Sequence, residues 1–433
     1  MGKALSVVLG ASLGISPLWA IAAESDVEQT LRDYQQRLEK LEQQQVESSL
    51  TQPERLRING FLSAGMSRAE ADTTLGDDGS YIDGSGDKWS HDSLTRAGVQ
   101  FNAQLTDKAE AVVQLFASGA DDFNAEVQWA YLDYDVTESV SVKAGRIVAP
   151  FYLHSQYVDV GYAYPWVSLP SEVYQLAPIK TMEALEATWG FNTGPVSHRL
   201  SGFWGSSTVD GGPRTNNAQY QADDLAGMNL TSRWRDWTVR AAYSAADVSV
   251  GQDELDALIP ATALGLSFDE VYTYFAGLGL QYDDGSWFMS GEVARLDFGN
   301  WYPSSQSAYV SLGKYMGKWM PLVTWAEVDP RDLDSSLPGP INDGLAEQQK
   351  SWTAGLRYSL TDSIALKGEF SYYYDFSDDE VSTTGFFVTD PGAEMEDDHA
   401  TIVRLSADLV FYCLLYTSPS PRDATLSRMP SSA

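Results

Sequence analysis

With 433 residues and a formal charge of −32, the chain is large and acidic, and 12% of its residues are Phe, Trp or Tyr. That charge excludes a nucleic-acid partner, which needs a basic footprint, and it keeps a chain soluble without dictating a fold. The aromatic share suits a surface where rings lie half wet and half dry.

At the start of the chain, Lys3 supplies a minimal positive region, Ala4 to Ile15 an apolar run, and Pro17 a break ahead of Ala20-Ile21-Ala22. This A-x-A pattern makes residues 1–22 an expected secretory signal peptide. The run is too short for a transmembrane helix, which needs about 20 apolar residues. No later segment is long and apolar enough for a helical span, so a membrane-spanning mature chain must be a barrel. Between residues 23 and 50, Val27, Leu31, Tyr34, Leu38 and Leu41 recur at alternating spacings of 4 and 3, a heptad seam. The seam fades at Gln45 and Ser48, and so brief a helix is marginal alone. It makes sense where an attached barrel already holds identical copies together; a disordered tether is the alternative. Residues 51–55, with Pro53, form the expected linker.

From Leu56 to Phe411 the period changes to 2, the signature of strands with one apolar and one polar face. Thr95, Ala97, Val99, Phe101, Ala103 and Leu105 alternate with Arg96, Gln100, Asn102 and Gln104. The pattern predicts sixteen strands, at about 56–67, 93–105, 109–117, 126–134, 140–147, 182–191, 196–204, 225–234, 237–244, 272–282, 287–296, 305–315, 319–328, 350–360, 364–374 and 400–411. Pro321 inside one of them costs a ladder hydrogen bond unless it sits near a strand end.

The connections decide the architecture. Short ones, such as Thr106-Asp107-Lys108, Arg235-Asp236 and Thr361-Asp362, alternate with long ones at about 68–92, 148–181, 205–224, 245–271, 329–348 and 375–399. Outer-membrane barrels have short periplasmic turns and long external loops. The expected fold class is therefore all-β, a sixteen-stranded antiparallel transmembrane barrel with a short N-terminal periplasmic helix.

From Cys413 to Ala433 the residues resemble a sequencing adapter translated in frame, so 412–433 is expected to be a non-native tail. The single cysteine, Cys413, falls within it. The native chain would then end at Phe411, on a strand where Val403, Leu405, Ala407, Leu409 and Phe411 alternate with Arg404, Ser406 and Asp408. A terminal Phe on such a strand resembles the signal read by barrel-assembly machinery.

These strands, the terminal Phe, and Lys143-Ala144-Gly145-Arg146 followed by Pro150-Phe151 and Asp159-Val160-Gly161 resemble the sixteen-stranded trimeric porins of Gram-negative bacteria, particularly those with an N-terminal coiled coil. The resemblance implies a homotrimer in outer-membrane lipids, assembled by that machinery and passing small hydrophilic solutes. It also implies that the third external loop, here 148–181, folds inward as a constriction. The expected pore lining is Arg96, Lys143, Arg146, Tyr152, His154, Asp159, Glu172, Arg357, Lys367 and Arg404, with Phe411 as assembly signal. Independently, basic residues concentrate in the strands (also Arg57, Arg199, Arg233, Arg240, Arg295 and Lys314) and acidic ones in the loops. A charge on the lipid face at mid-depth costs roughly 2–4 kcal/mol. Most strand Arg and Lys are therefore expected to face the lumen, opposite loop acids Asp159 and Glu172, and to favour anionic solutes.

Other chemistry has less support. Four histidines, none paired at ligand spacing, give no transition-metal site, and no cofactor is expected. Gly76 to Asp87 is rich in Asp and Gly but fails the calcium-loop template. His154-Ser155 with Asp159 lacks the orienting groups a hydrolase needs, so no enzyme activity is expected. A structural, adhesive or receptor barrel is the second hypothesis, and a soluble carbohydrate-binding β-protein the third.

Overall fold

The computed structural model describes residues 56–414 except 75–78, 178, 211–217, 259–260, 300, 302, 333–346, 377–382 and 390–394. The expected signal peptide, coiled-coil helix and linker, and residues 415–433 of the expected tail, lie outside the described residues. In chain order the strands are β1 (Leu56–Glu70), β2 (Ser80–Tyr81), β3 (Arg96–Thr106), β4 (Ala109–Ser118), β5 (Glu126–Asp135), β6 (Val140–Val148), β7 (Thr181–Thr193), β8 (Val196–Asp210) and β9 (Gln219–Trp234). They continue with β10 (Trp237–Val250), β11 (Val271–Asp283), β12 (Trp287–Asp297), β13 (Ser304–Lys314), β14 (Trp319–Asp332), β15 (Gln349–Ser359), β16 (Ile364–Tyr374), β17 (Phe387–Val388) and β18 (His399–Leu414). All but β2 and β17 close one barrel, each strand antiparallel to its neighbours, with β1 sealed against β18. The short β2 and β17 pair with each other outside the barrel ladder, and Tyr81 and Phe387 pack against Tyr373 of β16.

The outer face of this cylinder is an apolar belt. Leu62, Leu132, Leu185, Leu278, Val293, Val310, Val323, Phe370 and Leu405 are all exposed outward, large apolar side chains that nothing among the described residues covers. Rings flank the belt on both sides: Tyr134, Trp189, Trp234, Trp287, Trp319 and Phe411 toward the short turns, and Trp204, Tyr243, Tyr272 and Trp352 toward the long loops. An apolar band between two aromatic girdles is what a bilayer demands of a barrel. Outward-facing ion pairs (Arg146 with Glu183, Arg295 with Asp297, Lys350 with Asp375) sit near the long-loop ends of their strands. None lies at mid-height, where the charge would meet hydrocarbon.

Several strands run further than the alternation predicts. β8 reaches Asp210 and β9 begins at Gln219, so most of the expected 205–224 loop is a hairpin rising out of the belt. Register shifts mark that emergence, between Gly205 and Ser207 on β8 and between Ala245 and Asp247 on β10. The extra residue at a bulge bends the ladder. Pro321 costs little because the β13–β14 pairing stops at Gly313 with Leu322, so Pro321 is paired on the β15 side alone, with Leu356. At the far end, β18 continues past Phe411 and pairs Tyr412, Cys413 and Leu414 with Asn59, Ile58 and Arg57. Backbone ladders need no particular side chains, so this pairing extends beyond the expected native end. Phe411 itself lies over Gly60; a Cβ there would come within 2.3 Å of the ring's Cζ.

Candidate functional site

The segment 149–180, between β6 and β7, folds into the barrel and packs on its inner wall. Its aromatic and aliphatic side chains (Phe151, Tyr152, Tyr157, Tyr164, Trp166, Leu169 and Val173) are buried. A loop inside a barrel carries carbonyls and N–H groups that no ladder satisfies, and each needs a partner. The wall supplies them. Arg357 Nη1 donates to the carbonyls of Tyr162 and Tyr164, both at 3.0 Å, and Lys367 Nζ donates to Gly161 O and Trp166 O. Glu369 accepts from Val167 N at 2.7 Å, Glu292 accepts from Leu153 N at 2.7 Å, and Arg240 donates to Pro150 O. Trp166 Nε1 donates to Thr324 Oγ1 at 2.9 Å, and Arg96 Nη2 to Tyr164 OH at 2.6 Å. Tyr162 OH reaches the Asp362 carbonyl in a short turn at 2.7 Å, so the loop runs nearly the depth of the barrel.

This geometry corrects the expectation of loop acids facing a basic wall across water. Asp159 accepts from Gln128 Nε2, and Glu172 from Gln349 Nε2 at 2.8 Å. Burial pushes the Glu172 carboxyl above its ordinary range. The basic groups instead pair with other acids: Lys367 with Asp408 at 3.0 Å and Arg404 with Asp83 at 2.8 Å, both cations essentially without solvent access. Arg357, Lys367 and Arg404 thus anchor the loops rather than line an open constriction, because unsatisfied carbonyls and acids compete for them. Asp83 belongs to the Asp-rich segment that fails as a calcium loop, and no metal-ligand cluster occurs among the described residues. Tyr152 is buried, its hydroxyl bracketed by the Ala177 backbone, with the Ala177 N–H donating at 2.7 Å. His154 lies between Tyr157 OH and Ser290 Oγ, at 2.6 and 3.4 Å, and burial lowers it to about 3. His154, Ser155 and Asp159 each bond elsewhere and form no triad.

Lys143 faces the lumen and pairs with Glu186 at 3.1 Å. Arg146 does not face the lumen. It opposes Glu183, which shares the outward parity of Leu185 and Trp189, and the two form an ion pair on the outer surface. Alternation dictates this, since three positions separate Lys143 from Arg146 and odd separations change face. Gly145, between them, has φ +130 and packs so closely that a Cβ would meet Ala130 O at 2.3 Å.

A second region lies outside the residues expected to line the constriction. Inward residues on β11–β18 such as Ser290, Ser311, Thr324, Glu369, Ser371 and Asp408 are buried under the loop. On β8 and β9, Ser197, Arg199 and Arg233 share the inward parity of buried Ser201, Phe203 and Asn229 yet remain exposed. The loop therefore covers one side of the interior and leaves this side open. The available signal was parity: Arg199 and Arg233 fall in register with polar Ser201, Asn229 and Thr231.

The fold and inner loop define a sixteen-stranded barrel of the outer-membrane type. No protein-family model matches the chain, and no curated protein matches its sequence. Solved structures do match in shape. An anion-selective porin from Comamonas acidovorans is 13% identical, with 82% of this chain and 99% of that one covered and a TM-score of 0.53. The outer-membrane channel DcaP of Acinetobacter baumannii is 12% identical over 82% and 97%, with a TM-score of 0.53. OmpF of Salmonella typhi, solved with daunomycin, is 14% identical over 82% and 97%, with a TM-score of 0.52. Identities this low carry the fold and nothing finer.

Proposed function

We propose that the chain is an outer-membrane porin, a water-filled channel for passive diffusion of small hydrophilic solutes with a preference for anions. The observation that carries this is a closed cylinder, apolar outside and polar inside, with segment 149–180 packed against its inner wall. Shape similarity to porins and channels supports the same conclusion. Catalysis has no assembled constellation to support it among the described residues. Anion preference is supported by exposed Arg199 and Arg233 on the uncovered wall. The partners that go with this reading are outer-membrane lipids, barrel-assembly machinery recognising Phe411, and two further copies of the chain in a homotrimer. The test is conductance of detergent-extracted, folded protein in a planar bilayer. Stepwise current increments whose reversal potential in a KCl gradient has the anion-selective sign are expected.

A structural or receptor barrel is the competing reading, favoured by how much of the interior the loops fill. Gln349 alone ties three of them together, bonding Tyr81 OH, Glu172 and Phe386 N. Protein that migrates as a folded barrel yet gives no conductance would favour that reading over ours.

A further inference from the structure

We propose that Arg199 and Arg233 form an oxyanion-binding site in the turn-proximal half of an off-centre water path along β7–β10. The inference rests on the porin reading above and adds a position and a ligand chemistry to it.

The path is off-centre because the loop's anchors skip one stretch of wall. Its hydrogen bonds reach β10, β12, β13, β14, β15 and β16 on one flank and β3 and β5 on the other. None of the described loop bonds reaches β8 or β9, whose lower inner faces keep Ser197, Arg199 and Arg233 in contact with solvent.

The bonding of the inward cations then separates two from the rest. Arg57 pairs with Glu110, Lys143 with Glu186, Lys367 with Asp408 and Arg404 with Asp83. Arg96, Arg240 and Arg357 donate to loop oxygens. Among the described residues, Arg199 and Arg233 alone of the inward cations have neither an acid nor a loop oxygen. They are also neighbours: Arg199 opposes Thr231, and Arg233 lies two residues further along the same strand. Such diagonal positions are roughly 7–8 Å apart at Cα, within reach for two long forks to converge on one ligand. Arg240, opposing Thr231 from the other side, adds a third positive charge to the rung. Tyr157 of the loop is near enough for Arg233 and Arg240 to oppose the upward push that burial gives its phenol.

Two unpaired guanidiniums side by side repel, and a shared anion removes that repulsion. The guanidinium fork matches the planar carboxylate and the phosphate oxygens in bidentate geometry, which chloride cannot exploit. The ligand class is therefore a small carboxylate- or phosphate-bearing solute held on its way through.

The test uses the full chain, folded as judged by heat-dependent gel migration, in planar bilayers. Inorganic phosphate and acetate are added separately to KCl, and the block of chloride current is titrated for wild type and for Arg199→Gln/Arg233→Gln. Wild-type block by phosphate should weaken about tenfold or more in the double variant, and anion preference should fall with it. Block unchanged by the substitutions, in a protein that conducts, overturns the site and leaves the porin reading standing. A folded wild type without conductance overturns both. A second measurement does not need the arginines removed: Ser197→Cys in a Cys413→Ser background places a thiol opposite Arg233. An anionic methanethiosulfonate should react there faster than a cationic one, each relative to its rate with a free thiol; equal or reversed preference overturns the proposal.

Discussion

Replacing Lys367 with Met tests whether buried cations hold the inner loop. Lys367 Nζ sits 3.0 Å from Asp408 Oδ2, with side-chain exposures of 1% and 3%, and donates to the carbonyls of Gly161 and Trp166. Met keeps the volume and removes charge and donors. Breaking a buried pair from one side costs roughly 3–5 kcal/mol, because the partner charge is left uncompensated. Each orphaned carbonyl adds about 1–3 kcal/mol unless water reaches it, and loosening of the loop would admit that water. A net loss of about 3 kcal/mol is therefore expected in urea unfolding of the detergent-folded protein, with faster proteolysis between Tyr162 and Trp166. Lys367→Met/Asp408→Leu removes the stranded carboxylate and should recover part of the loss. A single variant within about 0.5 kcal/mol of wild type, the range of ordinary surface changes, refutes the anchoring argument. So does a double variant less stable than the single.

Three further outcomes follow from individual side chains. His154 titrates at about 3 when folded, against an ordinary 6.5; only the unfolded imidazole gains a proton between those values. Stability from this residue is therefore complete above about pH 6.5 and falls by roughly 1.4 kcal/mol per unit as pH drops toward 3. His154→Gln should flatten that slope in urea titrations at pH 7 and 5, and an unchanged slope would place the acid sensitivity elsewhere. Gly60→Ala should displace the Phe411 ring from its seat, seen as slower barrel folding in gel-shift kinetics with β-sheet content unchanged; wild-type kinetics would show the seat is not needed. Arg146→Ala should leave ion selectivity unchanged, because the side chain points to the outer surface beside Glu183. A shifted reversal potential would mean that Arg146 reaches the lumen after all.

The cylinder was legible in the sequence because a strand between water and hydrocarbon must alternate. Any departure puts a charge in lipid or an apolar group in water, so residues 95–105 could be read only one way. Strand number followed from that alternation, broken by turns such as Arg235-Asp236. Strand ends were less legible: β8 and β9 rise past the belt, where both faces are wet and alternation stops carrying information.

The interior could not be read in the same way. Parity says that Lys367, Arg404 and Arg199 face inward but not what each meets there. That depends on the path of segment 149–180, whose carbonyls take Arg357 and Lys367 and whose covering leaves Arg199 and Arg233 open. Arg146 faces outward although Lys143 faces inward, because the Lys143–Arg146 motif spans both faces of one strand. Period and turn length, properties of neighbouring residues, fixed the barrel before any coordinates. The partners of its buried ions are set by contacts between residues about 200 apart in sequence, such as Lys367 with Trp166, and only the folded chain brings these together.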